Sequence, residues 1–141
     1  VNQIGGGVME NFNNNLIDEV IKERSAGWQD FSQENEEQIC KLGERVFAAC
    51  SELGIPFDKT AGITFMTHLT TLYERLFRTH EVIEIEAELY DQIDEDLMNL
   101  SSKISQLIEL LLNCKLDRSE CFLIATHLGS MRERINQNLN D

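Results

Sequence analysis

Apolar residues return every three or four positions along most of this chain, and that spacing restricts it to helices. Ile39, Leu42, Val46, Phe47, Cys50 and Leu53 share one side of a helical wheel. Phe65, Leu69, Leu72 and Leu76 form a second stripe, and Leu97, Leu100, Ile104, Leu107, Ile108 and Leu111 a third. End signals agree with these stripes. Ser32 is placed as an N-cap, and Glu34, Glu36 and Glu37 suit the positive end of the helix that follows. Gly54 and then Pro56 close that helix in the expected order. Asp58 caps the next helix, which should run to about Arg78. Asp117, with Glu120 three residues on, resembles a capping box and opens a last helix from Arg118 to about Asn138. Before these lies NLIDEVIKE, residues 15–23, a short helix with Leu16, Val20 and Ile21 on one side. Residues 24–32 then read as a loop anchored by Trp28 and Phe31. One proline and eight glycines leave little for a strand-and-turn architecture. The expectation is an all-α fold: a compact five-helix bundle over residues 34–138, with a helical N-terminal extension or linker at 1–33. Residues 1–10, which include Gly5–Gly7, are expected to be disordered.

The charge balance excludes several functions. A net charge of -13 and a pI near 4.5 have the wrong sign for gripping nucleic acid or an anionic membrane. Any nucleic-acid contact is therefore expected from another domain or chain. Cys40, Cys50, Cys114 and Cys121 form no C-x-x-C pair, and no run of 18 apolar residues appears. A cytoplasmic protein with reduced thiols is expected. The first residue is valine, so a fragment, or added residues before Met9, is expected as well.

Two decapeptides nearly repeat. THLTTLYERL spans Thr67 to Leu76, and THLGSMRERI spans Thr126 to Ile135, 59 positions later. Each places an arginine seven residues after a histidine, and together they use two of the chain's three histidines. Positions i, i+4 and i+7 share a helical face, so His68, Leu72 and Arg75 line up, as do His127, Met131 and Arg134. Histidine and arginine are then about 10 Å apart along the axis at ~1.5 Å per residue. Neither histidine has a second histidine or a carboxylate at i+3 or i+4, as a helical metal site wants. A histidine–arginine frame suits an anion. Neutral imidazole is a nucleophile toward phosphorus, and the guanidinium fork matches a phosphoryl group. The chemistry indicated is histidines that accept and lose phosphoryl groups, with no cofactor and no metal.

These residues resemble the PTS regulation domain, the PRD, of bacterial sugar-responsive regulators. The resemblance runs from about Glu34 to Asn138. It rests on ITFMTHLTTLYERL (Ile63–Leu76), on ECFLIATHLGSMRERI (Glu120–Ile135) with Gly129 in the family's place, and on the link GIPFDKT. Thr67 stands where many PRDs have aspartate, and the stretch after Phe77 lacks the usual N-P-L-like segment. The resemblance implies a five-helix bundle and phosphorylation on His68 and His127, with Arg75 and Arg134 stabilising the phosphoryl groups. It implies a donor that is the histidine phosphocarrier protein or a sugar-specific enzyme II component of the phosphotransferase system. It further implies a homodimer and an output in transcription regulation, without enzymatic activity. Other PRD-bearing regulators carry paired copies and an attached effector domain; a single copy here implies a fragment or a stand-alone PRD.

Two other functions fit an all-α chain: a helical interaction module with inert histidines, or a small enzyme of the chorismate mutase-like kind. Basic residues too scattered to converge on a dicarboxylate speak against the second. His80 has alanine at +7 and is expected at the surface. Residues 81–96 hold eight acids and no base, a solvated face or a docking surface for a basic partner. Negative surroundings raise a histidine's pKa, and a guanidinium counters this. Arg75 and Arg134 are therefore expected close to one or other histidine, across the bundle.

Overall fold

The computed structural model describes residues 12–140, with side chains as far as Ile135. The glycine-rich opening lies outside the described residues. Six α-helices and no strand occur among the described residues: α1 (Asn14–Ser25), α2 (Gln33–Glu52), α3 (Lys59–Glu74), α4 (Ala87–Tyr90), α5 (Glu95–Leu112) and α6 (Arg118–Asn140). The fold is all-α, as the periodicity predicts. No helix among them is long and apolar enough to cross a membrane.

The caps explain where the helices begin. Asn13 accepts a hydrogen bond from the Leu16 N–H and opens α1. Ser32 opens α2 through a reciprocal box with Asn35, not with a glutamate. Asp58 accepts from the Ala61 N–H at 2.9 Å and opens α3. Asp117 accepts from the Glu120 N–H at 3.1 Å at the start of α6. Gly54 ends α2 with a φ of +76°, a conformation that costs glycine least.

Packing follows the apolar stripes. α1 lies on α2 and α3 and buries Ile17, Val20 and Ile21. α5 lies on α2 and α6, and α3 lies on α6. The core joins Ile39, Leu42, Val46 and Cys50 of α2 with Phe65, Met66, Leu69 and Leu72 of α3, Ile104 and Ile108 of α5, and Ile124 and Leu128 of α6. Gly43 lets α2 approach α3 closely, since a Cβ there would sit 2.6 Å from the Met66 sulfur. All four cysteines are free thiols, and burial pushes Cys50 up to about 12.

α3 does not end where its stripe suggests. After Glu74 the chain widens into a π turn, Arg75–Thr79, and stops at His80 in the left-handed region with φ 57°. An i→i+5 turn leaves no mark on a 3.6-residue pattern, so the α-helical prediction to Arg78 overshoots. The wider turn brings Arg78 back to the α1–α2 loop. Its Nη1 donates to the Gln29 carbonyl at 2.6 Å, and its guanidinium lies 5.0 Å from the centre of Trp28. Trp28 in turn packs edge-on to Phe31 at 5.3 Å. Both predicted loop anchors are thus in place.

Candidate functional site

α3 and α6 cross with their histidines in contact. The rings of His68 and His127 are 4.3 Å apart between centroids, tilted by 33°. Phe65, one turn before His68, stacks against both, at 6.2 Å from His68 and 5.7 Å from His127. The two repeated decapeptides therefore meet each other.

The arginines close the two ends of the crossing. Arg75, just past α3, donates from Nε and Nη2 to the two carboxylate oxygens of Glu120, each at 2.8 Å. Glu120 lies in the first turn of α6. Arg134, late in α6, donates from Nε to Asp58 at 2.8 and 3.0 Å, and Asp58 is the cap of α3. Each histidine-bearing helix thus reaches from its C-terminal part to the N-terminus of the other. The pair therefore runs antiparallel.

From the sequence alone both carboxylates have lesser roles, Asp58 as a cap and Glu120 as the return partner of a capping box at Asp117. Asp117 does cap α6, but the Glu120 side chain turns to Arg75 instead, because a buried guanidinium needs a counter-charge more than an exposed N-cap needs a second bond. The 59-residue offset that relates the decapeptides also relates Asp58 to Asp117, ten positions before each histidine, and so marks Asp58 but not Glu120.

The two histidines differ in depth. His68 is 9% exposed, and its Nε2 is buried with no hydrogen-bond partner. Its pKa is pushed down to about 3, chiefly by burial, then by the neighbouring His127 and by Arg75. His127 is half-buried, and burial lowers its pKa too. Both imidazoles are neutral at pH 7. The expected acid effect is absent here, for a physical reason. All eight acids of the 81–96 run are exposed, where water screens them, and the charges that act on His68 are His127 and Arg75. Two of those acids, Asp94 and Asp96, instead meet Arg132 at 3.7 and 3.1 Å on the surface. His80 is exposed.

A cavity of about 150 Å³ opens beside His127, lined by Thr60, Ala61, Thr64, Ser130, Met131 and Arg134 as well. Arg134 and His127 therefore share one space, and Arg75 lies near enough to His68 to act on its charge. Among the described residues, no group of three or more His, Cys, Asp or Glu side chains is placed to hold a metal ion. Neutral imidazoles next to guanidinium groups can attack an electrophilic phosphorus and then hold the product's charge.

Comparison with known proteins gives one family. A model of the PRD domain matches residues 44–131, well over half of the chain and inclusive of the first decapeptide, His127 and most of the α3–α6 crossing. No curated protein matches the chain, and no solved structure does.

Proposed function

The chain belongs to the PRD domain family, a family of regulatory domains, and from that premise we propose that it is a phosphorylation-responsive switch in bacterial carbohydrate-dependent transcription regulation. His68 and His127 accept phosphoryl groups. Arg75 and Arg134 stabilise them. The donor is the histidine phosphocarrier protein or a sugar-specific enzyme II component of the phosphotransferase system. The domain works in the cytoplasm, as a homodimer, and leaves nucleic-acid contact to another domain or chain, in keeping with its net charge of -13.

The observation that carries this reading is the ring contact of two neutral imidazoles at the α3–α6 crossing, 4.3 Å apart, with an arginine at each end of the helix pair. Two unprotonated ring nitrogens in one small volume are nucleophiles. A merely structural pair of buried aromatic positions would be filled at lower desolvation cost by phenylalanine. Phe65 already stands beside them in that role.

Incubation with phosphoenolpyruvate, enzyme I and the phosphocarrier protein tests the proposal. Acid-labile phosphate is expected on the wild type, below the wild-type level in His68→Ala and in His127→Ala, and absent from the double variant. An unlabelled wild type would favour the inert interaction module. Label persisting in the double variant would move the site elsewhere.

A further inference from the structure

The two ends of the α3–α6 pair are braced by the same chemistry at different depths. The Arg75 and Glu120 side chains are 10% and 5% exposed, whereas Arg134 is 45% exposed against Asp58 at 10%. Access to the histidines is just as uneven. The His68 Nε2 is sealed, while His127 lines a cavity that also has Thr60, Thr64 and Ser130, all exposed, around it. Arg134 is in that same cavity, held by Asp58.

We propose that phosphoryl transfer to this domain is ordered: His127 accepts first through the cavity beside Arg134, its phosphoryl group takes Arg134 away from Asp58, and the resulting separation of α3 from α6 at that end is what gives a donor access to His68. The ordering rests on the phosphoacceptor reading above. Transfer to His127 is an exchange of one N–P bond for another. The lone pair of its unprotonated ring nitrogen attacks phosphorus. The donor's phosphohistidine N–P bond breaks, and its electron pair returns to the donor nitrogen. Each ring keeps the N–H it had, so no other reactant is needed.

Charge then decides where Arg134 goes. A phosphoryl group carries roughly two negative charges and three acceptor oxygens, against the single charge and two oxygens of a carboxylate. Thr60 and Ser130 add hydroxyl groups on the side of the cavity, whereas the Thr64 hydroxyl already donates to the Thr60 carbonyl and Asp58 has the Ala61 N–H. Size acts in the same direction. Rings 4.3 Å apart leave no room for a tetrahedral group between them, so the product stays on the cavity side, with Arg134. The buried Arg75–Glu120 pair stays closed at the other end and serves as the pivot. Asp58, freed of Arg134, still caps α3 through the Ala61 N–H.

Site-resolved mass spectrometry of the full chain, sampled during phosphorylation by phosphoenolpyruvate, enzyme I and the phosphocarrier protein, tests the order. Singly phosphorylated protein should carry its phosphate on His127, with His68 occupied only in doubly phosphorylated molecules. His68→Ala should still be labelled at His127. His127→Ala should lose the label at His68. Asp58→Asn, which keeps an N-cap residue but removes the charge that holds Arg134, should restore His68 labelling in the His127→Ala background. Singly phosphorylated wild type carrying phosphate on His68 would overturn the order, and that readout does not depend on any variant folding. An unlabelled wild type would instead remove the phosphoacceptor reading, and the order with it.

Discussion

At one end of the α3–α6 pair an arginine and a glutamate are both largely covered; at the other an exposed arginine reaches a buried aspartate. The bonds look alike, near 2.8 Å in both. Their energetics differ. Burying Arg75 and Glu120 together costs desolvation that their mutual attraction roughly returns, so the pair adds little net stability, yet loss of one partner strands a charge in the interior. Arg134 keeps much of its hydration, so its bond to Asp58 is weak and exchangeable. An arginine–carboxylate pair thus makes a fixed contact at one end and a more labile one at the other, decided by what the surrounding helices cover.

The largest effect should come from the buried end. Glu120→Ala leaves Arg75 uncompensated and should lower stability by about 3–5 kcal/mol in urea unfolding, while Glu120→Ala combined with Arg75→Met should recover most of it. A recovery no better than the single variant would mean that the pair is a net stabiliser.

Acid should act next, through His68. The unfolded imidazole takes up its proton near 6.5, but the folded one not until about 3. Above pH 6.5 neither form is protonated and stability is full. As pH falls from 6.5 toward 3, only the unfolded state gains the proton, so stability drops by up to about 1.4 kcal/mol per pH unit. His127, also lowered, adds to the slope in the same direction. His68→Leu should flatten the decline measured between pH 7 and 5, a window above the range of Asp58, whose pKa burial would raise but the Ala61 N–H and Arg134 together hold below the carboxylate norm. An unchanged slope would mean that His68 is reached by water.

The open end should respond less. Asp58→Ala removes a cap and should cost about 1–2 kcal/mol, but Asp58→Asn, which retains the cap, well under that. Arg134→Gln should fall within about 0.5–1 kcal/mol of the wild type in thermal unfolding. Smallest of all should be Arg132→Gln, whose exposed contacts with Asp94 and Asp96 should contribute within about 0.5 kcal/mol. If Arg134→Gln proved as damaging as Glu120→Ala, the contrast between the two ends would collapse.

Local features of this molecule were legible in its letters. Ser32 and Asp58 cap the helices they precede, because a cap is decided by residues within three positions. Phe65, Leu69 and Leu72 are buried as their spacing indicates. His68, His127, Arg75 and Arg134 could be picked out as a repeated frame. What spacing could not carry is pairing between helices. Glu120 meets Arg75 across 45 positions and Asp58 meets Arg134 across 76, contacts set by how α3 crosses α6. The acidic run at 81–96 misled for the opposite reason: a count of charges says nothing of the water between them and the histidines.

The π turn after Glu74 has a meaning in chain length. One residue more than an α-helix requires is stored between Arg75 and Thr79. Arg78 is thereby carried out of the α-helical register before the helix stops at His80. Arg75 faces α6 while Arg78, three positions on, faces Trp28 and Gln29 on the other flank. A chain shortened by one residue here would relax to a plain helix and could keep only one of these two arginines at its partner.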